Sequence, residues 1–478
     1  MVDRFTQTRI GSFLQRRFAE HFTKPTQTVF LLLAMGFLLS SVRHTVANYL
    51  WRSGACLFRH YTRFYAFLGG PFFCEMDGLW RMVIRHAASQ VPEGEPIRLR
   101  VDETVCKKSG EKIGPADTYR NGAGTARQEY RTLWGICFVL AEMRVPLSGW
   151  SEDPISVPIG LEVYLKEEKA EQLGKTYVRR SRLGQRLVKR VAEAVGPERR
   201  VLSVQDGNYA TQYFLQGLPE NTGVVGRMPK NGALYERPDP KPEGKPGPQP
   251  EKGEKMGSPE ELVENGLVEN GLEWTNHPTE EGAEIYSFEA IWQGVLPGEV
   301  LRVVILRRPH LAEASSAKKQ KRYLEVFFTT DLRLGAEQIL KEYRGRWSIE
   351  ILIREANESF GLGQDRCRNA RKISGINNFR LLIGAAEVLY TAETREAETR
   401  EAEKKGADRK IGRIPEERPD RFDRLRPWYE DPGTPNLFDI HWGVREELAE
   451  AGITPKVGLN ATSGEFEQTN SSAQLRTG

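Results

Sequence analysis

Three acidic residues, Asp102, Asp206 and Glu350, stand where a site for a hard metal ion would want them. Hard cations such as Mg²⁺ prefer oxygen ligands and keep several waters, so a few carboxylates suffice. Two such ions ~3.5–4 Å apart can activate an attacking oxygen and stabilise a leaving oxygen in phosphoryl transfer. Each acid alone is a weak signal, because the chain carries 65 Asp+Glu and most acids are solvated surface charges. Their setting says more. Asp102 closes the alternating segment Ile97-Arg-Leu-Arg-Val101, and Asp206 closes the apolar run Val201-Leu-Ser-Val-Gln205. Turn-like residues follow both.

The stretch around Glu350 is more specific. It reads Glu342-Tyr-Arg-Gly-Arg346-Trp-Ser-Ile-Glu350-Ile-Leu-Ile-Arg354-Glu-Ala-Asn357. On a helix, Tyr343, Arg346, Glu350, Arg354 and Asn357 share one face. Ile349, Leu352, Ile353 and Ala356 are left to supply the packing side. A carboxylate between two guanidiniums, with a phenol nearby, suits a metal ion beside a phosphate backbone. The same spacing also describes an exposed Arg346–Glu350–Arg354 ladder, whose pairs contribute only ~0.3–0.5 kcal/mol each. Spacing alone leaves both readings open.

These residues need elements to hold them. Period-two alternation predicts a strand over Ile97–Asp102, with further strands at Leu133–Leu140, near Val157–Leu165, at Val201–Asp206 and at Gly223–Arg227. Leu183, Leu187, Val191 and Val195, four apart, predict an amphipathic helix over Arg179–Val195, and a short helix is expected near Ala210–Gln216. Three strands, helix, strand, helix, strand is the order of a ribonuclease-H-like core: an α/β fold with a mixed sheet covered by helices. Strands return at Glu284–Trp292, Val300–Leu306 and Arg322–Thr329, and Ala336–Phe360 reads as one long helix. The expected organisation is a basic helical region over 1–92 and the first part of the core over 93–235. A loop plus strand-rich insertion covers 236–330, and the last core helices 331–390. A charged linker, with its Thr-Arg-Glu-Ala-Glu repeat near 394–403, covers 391–432. A short helix at Leu437–Leu448 and a polar tail fill 433–478. The Pro-, Gly-, Lys- and Glu-rich stretch 236–275, with a near-repeat of Val-Glu-Asn-Gly-Leu at 263–272, is expected to be mobile.

Composition narrows the class. Five scattered cysteines without C-x-x-C spacing argue against a disulfide framework and a structural zinc site. Seven dispersed histidines offer no obvious Ser-His-Asp triad. The apolar run Val29–Leu39 is too short for a membrane span of ~20 residues, and no signal-peptide cleavage site follows it, so a buried helix is expected there. The net charge of +4 decides little. Its distribution is uneven: residues 1–90 hold eleven Lys/Arg against four Asp/Glu, and 341–380 hold nine against five. Basic ends around an acidic middle permit a nucleic-acid partner. The aromatic-rich stretch Phe58–Phe67 in the first region fits core packing, with base stacking the other possibility.

Taken together, the motifs resemble a family. Tyr343, Arg346 and Glu350 fill the first three places of the Y-x2-R-x3-E-x6-K signature of prokaryotic insertion-sequence transposases with a DDE catalytic core. Phe328–Ile339 resembles the lead-in to that helix. Asp102-Glu-Thr104 resembles the family's Asp-x-Thr motif, and Asp206-Gly-Asn-Tyr209 its Asp-Gly-x-Tyr motif. Gly226-Arg227, Ala233-Leu-Tyr235 and the helical region Arg43–Leu50 also look familial, so the likeness covers roughly 20–390. The resemblance implies that Asp102, Asp206 and Glu350 bind two Mg²⁺ or Mn²⁺ ions. It further implies cleavage of DNA at the element ends, strand transfer into target DNA, and a homodimer that brings two ends together. Tyr343, Arg346, Arg354, Asn357 and Arg227 would contact DNA, and the protein would work in the cytoplasm on the nucleoid. Asn357 departs from the signature, standing in the lysine place without a charge, and Arg354, one turn away, is the residue that would compensate. Two other readings remain: a degenerate copy that only binds DNA, and a glycoside hydrolase using two of the acids. The latter leaves Arg346 and Arg354 unexplained.

Overall fold

In the computed structural model, the described residues are 2–41, 43–120, 132–146, 153–240, 248–264, 274–312, 322–404 and 437–455. Most of the near-repeat at 263–272, most of the expected linker and most of the polar tail lie outside them. The core strand β1 (Ile97–Lys107) buries Ile97, Leu99 and Val101 on one side and turns Arg98, Arg100 and Asp102 to the other. It pairs antiparallel with β3 (Thr132–Val145), which pairs antiparallel with β4 (Ile155–Tyr164); the four-residue β2 (Asp117–Arg120) joins the other end of β3. On its second edge β1 runs parallel to β5 (Val201–Gln205), and β5 parallel to β6 (Thr222–Arg227). This is the ribonuclease-H-like mixed sheet that the element order predicts.

β1 outruns its expected end. Asp102 pairs with Leu140 in mid-strand, because β3 is long enough to keep pairing out to Lys107↔Gly135. The sheet also continues past β6. Between β6 and the strands that follow come β7 (Leu234–Tyr235), β8 (Lys255–Gly257) and β9 (Thr275–Asn276). Then β10 (Glu284–Ile291), β11 (Val300–Arg307) and β12 (Leu324–Thr329) add to the open edge, with Phe327↔Arg227 marking the antiparallel β12–β6 joint. The inserted strands therefore prolong the same sheet.

Among the described residues, six α-helices precede the sheet: α1 (Val2–Gln7), α2 (Arg9–Arg17), α3 (Lys24–Leu38), α4 (Val46–Arg52), α5 (Thr62–Gly69) and α6 (Pro71–Ser89). Every residue of α3 from Val29 to Leu38 is buried, and no helix among the described residues is long and apolar enough to cross a membrane. Within the aromatic stretch, Phe64 and Phe67 pack inward while Phe58 and Tyr61 stay exposed beside Trp51 and Leu57. After β4 come α7 (Glu167–Gln172) and α8 (Arg180–Val195), and after β5 the short α9 (Gln212–Leu215). Leu183, Leu187 and Val191 seat α8 on the sheet. Gly184 lets it come close, since a Cβ there would lie 2.7 Å from the Tyr209 ring.

The expected single helix from Ala336 is two. Following α10 (Pro259–Glu264), α11 spans Ala336–Arg344 and α12 spans Ser348–Glu358, with a 3₁₀ turn at Gly345–Trp347 between them. Gly345 leaves no room for a side chain, because a Cβ would stand 2.7 Å from the Arg100 guanidinium. The 35-residue α13 (Ala370–Lys404) carries the helix on through the first part of the expected linker, and α14 (Leu437–Glu450) buries Leu437, Ile440, Val444 and Leu448. A buried polar network ties these helices to the sheet. Arg380 of α13 has no exposed surface; it donates to the Tyr49 hydroxyl (3.2 Å), to Asn377 Oδ1 (3.0 Å) and to the His44 carbonyl. Lys108 Nζ, just past β1, donates to the carbonyls of Gly363 (2.6 Å) and Asp365 (2.8 Å) and pairs with the Asp365 carboxylate (3.2 Å). The loop after α12 is thereby pinned to the end of the central strand.

Candidate active site

Three elements carry the three acids. Asp102 leaves the middle of β1 on the face covered by α11 and α12. Asp206 follows β5, where the chain turns into a 3₁₀ segment over Gly207–Tyr209. Glu350 lies in the first turn of α12. Because β1 and β5 are adjacent and parallel, with Val101 paired to Gln205, the two aspartates reach the same end of the sheet. The helices complete the arrangement. Arg346 Nη1 stands 3.2 Å from Asp102 Oδ2, and its Nη2 donates to Glu350 Oε1 at 2.6 Å. The Tyr343 hydroxyl donates to Asp206 Oδ1 at 3.4 Å. One guanidinium thus lies between two of the carboxylates, and the charge of the third also acts on it.

The electrostatics follow from burial. Desolvation pushes the Asp102 carboxyl up to about 6, against the Glu103 N–H that donates to it at 2.8 Å and the Arg346 charge; Glu103 and Asp206 push it further up. Burial pulls the Arg346 guanidinium down, but its bond to Glu350 and the charges of Asp102 and Asp206 outweigh this and raise it. Burial, with Asp206 adding to it, lifts the Tyr343 phenol to about 12, so it stays a donor. Among the described residues, no three His, Cys, Asp or Glu side chains gather closely enough to ligate one ion. Arg346 stands in the space that Asp102 and Glu350 share.

The candidate DNA contacts divide. Tyr343 and Arg346 are brought to the acids. Arg227, at the end of β6, pairs with Glu325 at 3.2 Å and keeps 39% of its side chain exposed; it is close enough to Tyr343 for its charge to act on the phenol. Arg354 is exposed on α12 with no partner among the described residues. Asn357 turns away. Its Nδ2 donates to the Ile353 carbonyl at 2.8 Å, and its Oδ1 faces the Cys106 thiol at 3.5 Å, so it bridges its own helix to β1. The place where the signature has a lysine is therefore half-buried behind the helix.

Several supporting residues escape a sequence reading. Glu103, on the far side of β1 from Asp102, pairs with Arg180 of α8 and accepts from the Tyr209 hydroxyl at 3.0 Å. Ser348 bonds to Glu142, which is fully buried on β3 and faces Arg100 at 3.6 Å. Only the Asp-Gly-Asn-Tyr spacing hints at Tyr209; a buried Glu on a strand leaves no periodic trace.

The sheet order and its helical cover place the chain among ribonuclease-H-like α/β proteins. Within that class, the chain belongs to the DDE superfamily endonucleases, whose family model matches residues 17–277. The match takes in Asp102 and Asp206 and ends before Glu350, which Arg346 joins to Asp102. No curated protein matches the chain.

Proposed function

We propose that the protein is a DNA transposase of the insertion-sequence type and that Asp102, Asp206 and Glu350 are its catalytic carboxylates. The observation that carries this is the convergence of acids from β1, the β5 turn and α12 around the single guanidinium of Arg346. The donor set fits a hard cation: three carboxylates, with no thiol or imidazole among them. Asp102 is held up by burial and by like charges, the condition that a bound cation relieves. Two Mg²⁺ or Mn²⁺ ions held there would supply activation of the attacking oxygen and stabilisation of the leaving oxygen.

The chain's own residues would do the positioning. Arg346, released from the acids as a cation takes over their charge, would hold a phosphate oxygen beside them. Tyr343 would donate to the same backbone, and Arg227 and Arg354 would hold it on either side. In the first step, water attacks a phosphodiester at an element end; the bond to the 3′ oxygen breaks, leaving a 3′-hydroxyl and a 5′-phosphate. In the second, that hydroxyl attacks a target phosphodiester; a new phosphodiester joins the two DNAs, and the target's bond to its 3′ oxygen breaks, releasing a target 3′-hydroxyl. Since two ends must meet, a homodimer is the expected working form.

The test is nicking of a labelled duplex carrying the DNA that flanks the coding sequence, with Mg²⁺ and with EDTA, by the wild type and by Glu350→Ala. Metal-dependent nicking that vanishes in the variant supports the assignment. Binding without cleavage, in Mn²⁺ as well as Mg²⁺, overturns it and leaves a protein that only binds DNA.

A further inference from the structure

Beside the three acids, on the same face of β1, lies a cleft of about 740 Å³. Arg98 and Arg100 of β1 form its floor, Arg144 of β3 and Arg200 its sides, and Lys341 and Glu342 of α11 its roof. Five basic side chains line it against three carboxylates. Some of this charge is spent locally. Arg98 pairs with Glu342 at 2.8 Å and Glu95 at 3.1 Å, and Arg200 pairs with Asp331 at 2.7 Å. Arg100 and Lys341 are different. Arg100 is only 4% exposed; its Nη1 forms an ion pair with the buried Glu142 at 3.6 Å, but its Nε and Nη1 make no hydrogen bond. Lys341 is exposed at the mouth with no partner among the described residues.

Leaving buried guanidinium donors without hydrogen bonds costs stability. A fold that keeps them beside a cleft lined by more basic than acidic side chains has the polarity of an anion site. Four prolines line it, and each fixes its own φ. Strand geometry sets its distance from the acids. Arg100 lies two residues from Asp102 and Arg98 four, on one face, or ~7 and ~13 Å along the strand. At ~3.4 Å per nucleotide along one DNA strand, that is about two to four nucleotides.

We propose that this cleft binds the DNA backbone about two to four nucleotides from the phosphate that is cut, with Lys341 as its principal phosphate contact and Arg144 and the buried charge of Arg100 supporting it. The inference rests on the reading of the acids as a DNA-cleaving site, but its test is separate. Arg100 is buried and its loss could prevent folding, so Lys341→Ala and Arg144→Gln are the variants. Binding is measured by fluorescence anisotropy in EDTA, from 50 to 200 mM salt. The duplexes either end at the cut or extend six base pairs past it, on one side or the other.

For the duplex extended on the cleft side, Lys341→Ala is expected to lower the slope of log K against log salt by about 0.9, the value of one phosphate contact, with a smaller decrease for Arg144→Gln. For the duplex ending at the cut on that side, both variants should match the wild type. Equal losses on all duplexes, or no loss on any, overturn the proposal. So does tight binding of a mononucleotide that DNA of any length fails to displace, which would assign the cleft to a small phosphorylated ligand. If length-dependent binding persists but no duplex is nicked in Mg²⁺ or Mn²⁺, the catalytic assignment fails and the cleft stands.

Discussion

Replacing Arg346 with Gln separates two roles that a simple loss of activity would confound. The Arg346 guanidinium lies 3.2 Å from Asp102 and 2.6 Å from Glu350, so on the proposed reading a divalent cation would compete with it for both. Two unit charges 4 Å apart interact by ~4 kcal/mol at an effective dielectric constant near 20. The three side chains keep 15%, 21% and 33% of their surface exposed, so solvent screens a large part of that. An expected gain of ~1–2 kcal/mol in cation affinity, or roughly 5–30-fold in Kd, follows for the variant. Nicking should move the other way, falling by ~10²–10³, the usual loss when one preorganised donor to developing charge is removed. Titration calorimetry with Mn²⁺ reads the first quantity, and single-turnover nicking at saturating Mn²⁺ reads the second. Arg346→Gln with unchanged or weaker Mn²⁺ affinity would refute the competition. Tighter Mn²⁺ binding with undiminished nicking would remove Arg346 from phosphate positioning.

Two further outcomes follow from side chains elsewhere. Arg354→Ala should reduce the salt slope of DNA binding by ~0.9 and leave unfolding unchanged within ~0.5 kcal/mol; Asn357→Ala should do the reverse, costing ~0.5–1.5 kcal/mol of stability and leaving the slope alone. A salt slope that responds to Asn357 and not to Arg354 would contradict the orientation described. His44 has no exposed surface and neither ring nitrogen has a partner; burial, with His441, Arg380 and Arg445 adding to it, lowers its pKa from 6.5 to about 2. The folded state therefore binds fewer protons than the unfolded one between those values. The stability this group contributes is complete above pH ~6.5 and lost at ~1.4 kcal/mol per unit as pH falls below it. Urea unfolding at pH 7.5 and 5.5 should show a drop ~1.4 kcal/mol larger for the wild type than for His44→Phe, and equal drops would mean that His44 is protonated in the folded protein.

Most of the core was legible because it depends on short-range patterns. Ile97, Leu99 and Val101 alternate with polar residues and form β1; Leu183, Leu187 and Val191 repeat every four residues and bury one face of α8. Where the reading failed, the deciding contact came from a distant residue. β1 runs past Asp102 because β3 is there to pair with it. The helix expected from Ala336 gives way to a 3₁₀ turn at Gly345–Trp347, where the Arg100 side chain of β1 stands against Gly345. The buried network of His44, Lys108, Asp365 and Arg380 was invisible for the same reason, since polar residues acquire such burial only from their partners.

The acids show the limit most clearly. Arg346 and Glu350, four apart on a helix, are indistinguishable in sequence from an exposed ion pair, and they do form that pair, at 2.6 Å. What changes its meaning is Asp102, 244 positions earlier, which shares the same guanidinium, and Asp206, which meets Tyr343 one turn away. A helical ladder of surface charges and a carboxylate site with its phosphate clamp differ only in what the sheet brings beneath the helix. The same register that sets Asp102 under Arg346 sets Arg100 under Gly345 and Arg98 under Glu342. Asp102 and the cleft's Arg98 and Arg100 are thus alternate positions on one face of one strand, and a shift of α11 over β1 would disturb both together.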